Sequence, residues 1–336
     1  MVTIADVAKA AGVSVATVSR VMNHSSLVAE STAKVVREAI ERLSYVPNQQ
    51  ARNLRRNESK TVLVLLPNIT NPYYANVFDG INERAQALGY TLFLCSTERQ
   101  DPEALLKETI EYKRADGAIL MHIDRDERWL QKYSDRFPIV QCCEYAAPCD
   151  TAHVSVDNYR AGYEATSYLV GLGRRKVGII SSANRMMSTL QRMRGYQDAL
   201  SDAGISLEDR YIACSDESYS YMSSLQAARE LLSQPDRPDA LFCISDAIAL
   251  AAVVVAGELG ISVPEEVSVV GFDDVIYTQM IHPYLSTMIQ PCLALGERAI
   301  DMLDQLIAGH PLENRNVVLP HGFIARESTC PLREDA

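Results

Sequence analysis

A chain of 336 residues with 47% hydrophobic and 22% charged residues is too long for one ordinary core and has the balance of a water-soluble globular protein of two to three domains. Its longest strongly apolar run, about 247–256, falls well short of the ~20 residues that span a bilayer, and Asp6 and Lys9 interrupt the stretch where a signal peptide needs an unbroken apolar core. A cytoplasmic protein with no membrane partner is therefore expected, and its eight cysteines, which form no C-x-x-C pair, are expected to be reduced and mostly buried.

The net charge of −11 hides an uneven distribution. Residues 1–60 hold nine Lys or Arg against five Asp or Glu, a balance of +4, so the rest of the chain carries −15. A basic head on an acidic body suits phosphate binding at the head and repels nucleic acid elsewhere, although a merely solvated head has the same composition.

Thr3 and Asp6 have the spacing of a helix start, the apolar stripe Ile4, Val7, Ala8, Ala11 follows, and Gly12 closes the element. Ser14 is placed to cap a second helix. In "GVSVATVSRVMN", residues 12–23, Val13, Val18, Val21 and Met22 form the inner face, while Val15, Ala16, Thr17, Ser19 and Arg20 face away. Two short helices joined by a tight small-residue turn have the proportions of a helix-turn-helix. A third amphipathic segment, 31–43, is expected to complete the bundle through Val35, Val36, Ala39, Ile40 and Leu43.

Beyond residue 60, apolar runs alternate with helix-length segments. The strand candidates are "TVLVLLP", "YTLFLC", "GAILMHI", "PIVQCC", "HVSVD", "KVGIISS", "ALFCIS", "SVVGFDD" and "LSTMIQP". Such alternation predicts α/β architecture with parallel sheets covered by helices, here in two series separated near Asn158. Ligands in these folds bind at the carboxyl ends of strands. That rule selects Asn71, Tyr73 and Tyr74 after the first strand, Ser245 and Asp246 after "LFCI", and Asp273 after "VVGF".

The run "DVAKAAGVS-TVSRVMN", followed by "YVPN-ARNL", "SDAIALAA" and "SVVGFDD" in that order, closely resembles the lactose-repressor family of transcription regulators across essentially the whole chain. "ARNLRRNESKT" and "EYAAP" are most similar to the cytidine-repressor type. The resemblance implies a helix-turn-helix DNA-binding domain at 1–46, a hinge at 47–60, and a periplasmic-binding-protein-like effector and dimerisation domain at 61–336. Within the last, it implies one lobe of about 61–157 and 289–320 and a second of about 160–287 and 321–330.

On that resemblance the head contacts an operator through Thr3, Ser14, Val15, Ala16, Thr17, Ser19, Arg20 and Asn23. Arg20 suits a bidentate contact to guanine, and Val15 and Ala16 suit base edges. Hinge residues 48–54, with Asn48, Ala51, Arg52 and Leu54, would fold on the minor groove, Leu54 opening a base step. The effector site gains Arg192 and Tyr219, with Glu144 and Tyr145 as secondary candidates. Asp273 and Arg192 would hold vicinal hydroxyls while the tyrosines offer flat faces. Plainer readings remain: Asp273 as a turn residue, Arg192 as a surface cation, and the tyrosines as interface filler.

No catalytic constellation emerges. "GLGRRK" lies between a helix and a strand, the wrong order for a phosphate-binding turn, and neither a P-loop nor a G-x-S-x-G elbow occurs. The six histidines lack metal-ligand spacing, so no metal or cofactor is expected. The expected protein is a homodimeric repressor released from DNA by a small polyhydroxy effector, a nucleoside or alternatively a pentose or hexose; the alternative of a different class is a solute-binding sensor without operator function. Helix 246–260, apolar on more than one face, is expected to supply part of the dimer interface.

Overall fold

Three short helices form the head: α1 (Ile4–Ala11), α2 (Val15–Met22) and α3 (Glu30–Arg42). The computed structural model describes residues 2–22, 28–45, 58–219 and 221–331. Asn23 and the hinge residues Asn48, Ala51, Arg52 and Leu54 lie outside that set.

The start of α1 is a reciprocal cap. Thr3 Oγ1 accepts from Asp6 N at 3.4 Å, and Asp6 Oδ2 accepts from Thr3 N at 2.9 Å. Gly12, at φ 65°, closes the helix in the left-handed conformation that glycine adopts without a Cβ clash. Ser14 Oγ then accepts from Thr17 N at 3.1 Å and starts α2. Val7, Ala8, Val18, Val21, Ala33, Val36 and Ala39 make the small core. Val35 is not part of it and is 46% exposed. Ala33, Val36 and Ala39 recur every three residues and take the inner face of α3, and one residue turns the side chain by about 100° away from it.

The chain separates into two compact units between Ser59 and Lys60. The second unit contains two six-stranded sheets. The first sheet holds β1 (Thr61–Leu66), β2 (Thr91–Ser96), β3 (Gly117–Leu120), β4 (Ile139–Cys142), β5 (Ala152–Val156) and β11 (Asn316–Leu319), in the order β11-β5-β4-β3-β1-β2 with parallel pairing throughout. The second holds β6 (Val177–Ser182), β7 (Ile212–Ser215), β8 (Ala240–Cys243), β9 (Ser268–Asp273), β10 (Ser286–Ile289) and β12 (Gly322–Ile324), in the order β12-β10-β9-β8-β6-β7. Only its β10–β12 pair is antiparallel.

The alternation within β1 shows why these runs become buried strands. Val62, Val64 and Leu66 enter the core shared with α4 (Pro72–Ala87) and α11 (Cys292–Ile307), while Leu63 and Leu65 enter the opposite core with Leu106 of α5 (Pro102–Glu111). A four-residue helix, α6 (Gln131–Ser134), lies between β3 and β4. The second sheet is covered by α7 (Asn158–Gly171), α8 (Met187–Asp202), α9 (Tyr221–Leu232) and α10 (Asp246–Glu258).

Each lobe contains one close helix crossing made possible by a pair of glycines. A Cβ on Gly195 of α8 would lie 2.3 Å from Tyr159 O of α7, and one on Gly162 of α7 would lie 2.6 Å from Arg192 O of α8. At the α4–α11 crossing, a Cβ on Gly80 would meet Leu293 O at 2.2 Å and one on Gly296 would meet Val77 O at 2.2 Å.

One expectation, that the cysteines are mostly buried, needs correction, and the apolar faces of α10 have an account inside the lobe. Most of the apolar surface of α10 is spent inside its own lobe: Ile248, Ala249, Ala252, Val253, Val255 and Ala256 belong to the core beneath α9 and β9, leaving Ala247, Leu250 and Val254 half-buried. All eight cysteines are free thiols, but Cys142, Cys143, Cys243 and Cys292 alone are buried, while Cys214 is exposed because β7 is an edge strand. Among the described residues, no helix is long and apolar enough to cross a membrane.

Candidate functional site

In the head, Thr3, Ser14, Val15, Ala16 and Arg20 are exposed, and Thr17 and Ser19 are half-buried. Val18 and Val21, inside the core, turn this opposite face of α2 outward. The Ser14 and Thr17 hydroxyls are bonded to each other at 2.9 Å, fixing the first turn of the helix.

In the larger unit, seven of the candidate ligand-binding residues line one cavity: Asn71, Tyr73, Tyr74, Arg192, Tyr219, Ser245 and Asp273. Glu144 lines it as well. The contributors arrive from both sheets at strand ends or helix starts: after β1 and β4 in the first sheet, and after β7, β8 and β9 and at the start of α8 around the second. An adjoining chamber of about 340 Å³ extends past Tyr74 and Tyr219 to Glu98, His122, Tyr221 and Tyr277.

Arg192 and Asp273 are held by their neighbours. Arg192 donates from Nε to Asn158 Oδ1 at 2.9 Å and from Nη1 to Ile244 O at 2.6 Å, with its guanidinium carbon 3.5 Å from the Phe272 ring centre. Gln290 Nε2 donates to Asp273 Oδ1 at 2.7 Å, and the Tyr73 hydroxyl donates to Gln290 Oε1 at 3.3 Å. Burial pushes Asp273 up to about 7, against the opposing pull of the Arg192 charge and the Gln290 hydrogen bond. Burial also raises Glu144, opposed by its bonds to Ser188 and the charge of Arg192. The phenols of Tyr73, Tyr74 and Tyr219 are likewise raised by burial and stay protonated hydrogen-bond donors.

Backbone strain is concentrated here. Cys143, Tyr219 and Asp273 all adopt positive φ, at 75°, 58° and 117°, and all three line the cavity. Non-glycine residues hold such conformations only where the surroundings fix them, commonly at binding sites.

Asp246 does not reach the cavity. Its carboxylate is fully buried and accepts from Val275 N at 2.8 Å and Thr287 Oγ1 at 2.6 Å. It sits against Gly271, where an added Cβ would meet its oxygen at 2.3 Å. Tyr145 is also turned away, stacked on His153 at 4.1 Å and bonded to Gln191. Sequence reasoning missed Cys143, Ser188, Gln290 and His122. Ser188 had a usable signal, standing four residues before Arg192 on the same helix face, and Gln290 follows the end of β10.

Residues 3–48 match the model of bacterial regulatory proteins of the lacI family, and residues 166–329 match a periplasmic binding protein-like domain. Over 99% of its length the chain is 33% identical to the whole of the HTH-type transcriptional repressor PurR of Photobacterium profundum. The chain belongs to the LacI family. It is thus a transcriptional repressor of the DNA-binding type. The HTH-type transcriptional repressor CytR of Escherichia coli K12 is 32% identical, with 98% of this chain and 97% of that protein covered. Among solved structures, the lac repressor dimer bound to operator and the anti-inducer ONPF superposes with a TM-score of 0.88 at 26% identity, covering 98% of this chain and 99% of that one.

Proposed function

We propose that this LacI-family repressor binds a pseudo-palindromic operator as a homodimer and releases it when a small polyhydroxy effector, a nucleoside such as cytidine, occupies the cleft. The observation that carries the effector assignment is the pairing of Arg192 and Asp273 on one cavity wall, each fixed by protein bonds, beside the faces of Tyr74 and Tyr219. A carboxylate that accepts and a guanidinium that donates match vicinal hydroxyls. A pentose or hexose would use the same pair. The nucleoside is favoured by the adjoining chamber of about 340 Å³ lined by Tyr74, Tyr219, Tyr221 and Tyr277, which offers room for a flat ring beyond the sugar.

The operator assignment rests on the outward face of α2, where Val15, Ala16 and Arg20 are free of the head's core. For the dimer, Leu250 and Val254 remain half-buried on α10, and Ile276 and Met280, in the segment that packs on α10, are 59% and 68% exposed. Effector binding acts through lobe orientation. The hinge leads directly into β1, so rotation of the first lobe moves the point from which the 48–54 segment departs. A coupling of typically 1–3 kcal/mol is sufficient for release.

The test is an operator selected from random duplexes, then titrated with and without cytidine, adenosine, ribose and glucose. A palindromic consensus and weaker binding with one of these compounds is expected. Direct repeats would remove the two-fold dimer, and tighter binding with ligand would replace induction by corepression.

A further inference from the structure

The charges around the cleft discriminate among ligands. Its two chambers are lined by four carboxyl groups, Asp273 and Glu144 inside, both raised by burial, and Glu98 and Glu217 outside, against one guanidinium, that of Arg192. Arg192 is already committed through Nε and Nη1 to Asn158 and Ile244. The neighbouring cation Arg185 is paired with Asp126 at 2.5 Å and does not line either chamber.

Three helices begin at this cavity, and a helix start ordinarily attracts anions through its free N–H groups and dipole. Here the protein's own oxygens occupy those positions. Asn71 Oδ1 accepts from Tyr73 N at the start of α4 (3.0 Å), a Glu144 oxygen accepts from Ser188 N at the start of α8 (3.1 Å), and Ser245 Oγ accepts from Ile248 N at the start of α10 (3.3 Å). A phosphate entering the inner chamber would displace one of these oxygens or lie against a carboxyl group.

We propose that the cleft excludes anionic ligands and with them the phosphorylated form of a compound it accepts, so that the repressor responds to a free nucleoside or sugar and not to its phosphate. The inference rests on the effector reading given above and adds a selection rule to it.

Thermal shift followed by calorimetry on the full-length protein tests this with matched pairs: cytidine and cytidine 5′-monophosphate, adenosine and its 5′-monophosphate, ribose and ribose 5-phosphate, glucose and glucose 6-phosphate. An uncharged member is expected to bind, and its phosphate to bind on the order of 30–100-fold more weakly, the size of one like-charge repulsion over about 6–8 Å at an effective dielectric near 20. In the doubly substituted Glu98→Gln, Glu217→Gln protein, whose changes lie on exposed side chains, that gap should narrow by about threefold or more, as expected for partly screened mouth charges. A phosphate binding as tightly as its uncharged partner, or more tightly, overturns the selection rule and leaves the effector site standing. If no member of any pair binds, the polyhydroxy-effector reading falls and takes the selection rule with it.

Discussion

Glu144 reaches across the cleft to Ser188, accepting from its backbone N–H at 3.1 Å and also from its hydroxyl. Glu144 follows β4 of the first sheet and Ser188 lies in the first turn of α8, which packs on the second, so this contact joins the two lobes. Arg185 with Asp126, and Gln191 with the Tyr145 hydroxyl at 3.1 Å, lie along the same seam. Removing the carboxylate in Glu144→Ala leaves a buried hydroxyl and a helix-start N–H without their partner, at a cost of about 1–3 kcal/mol. Urea unfolding should register that loss, and Glu144→Gln, which keeps one acceptor, should lose less. Equal midpoints for Glu144→Ala and the wild type would show that the contact does not hold the lobes together.

Asp273 supplies a pH-dependent prediction. Its folded pKa, pushed up to about 7 from an ordinary 3.8, means that the native state holds this proton more tightly than the unfolded chain does. Stability from this group is therefore present below the unfolded value and declines as pH rises toward 7. Asp273→Asn keeps an acceptor for Gln290 but carries no charge, so the ligand-free variant should melt higher than wild type at pH 8, with the difference shrinking at pH 5. The same variant should lose most of its effector affinity. A melting difference independent of pH would separate Asp273 from the titration, and undiminished ligand binding would remove it from the site.

Most of the strands were legible because their burial is nearly continuous, and the largely exposed edge strand β2 because its sequence is an apolar run. Nine runs in the sequence correspond to β1–β6 and β8–β10, whereas β7, β11 and β12 were not anticipated. Those three are sheet edges, where "IACS", "NVVL" and "GFI" are only partly buried and too short to stand out as strands. The strand-end rule found most of the cavity lining, but it cannot tell a side chain that faces the cavity from one that turns beneath it. Ser245 and Asp246 are adjacent, yet one lines the cavity and the other anchors Val275 and Thr287. Likewise Val35 and Val36 are identical and adjacent, and only the packing of α3 decides which is inside.

Gly195 connects helix packing to the site. It stands one turn beyond Arg192 on α8, and the α7 backbone leaves no room for a Cβ there. Gly195→Ala should force the helices apart and cost about 1–3 kcal/mol as overpacking. Because α8 also carries Ser188 and Arg192, effector affinity should fall along with the melting temperature. Gly171→Ala, in the same pair of helices but with nothing near its added Cβ, is the matched control and should leave affinity unchanged. A Gly195→Ala protein with wild-type stability would show that the crossing yields easily.

Two substitutions in the head separate folding from recognition. Thr3 Oγ1 and the Asp6 carboxylate complete the α1 cap, so Thr3→Ala should lower the stability of the three-helix unit by about 1 kcal/mol. Operator and non-specific DNA should then weaken together, because fewer heads are folded at any moment. Arg20 is exposed on the outward face of α2 and its side chain supports nothing in the core. Arg20→Ala should leave the melting curve unchanged while costing about 1–3 kcal/mol of operator affinity and relaxing the preference at one symmetric base position. Gel-shift selection on both variants decides the matter. An unchanged consensus for Arg20→Ala would rule out base reading by this side chain, and an altered consensus for Thr3→Ala would mean that Thr3 contributes to recognition beyond capping.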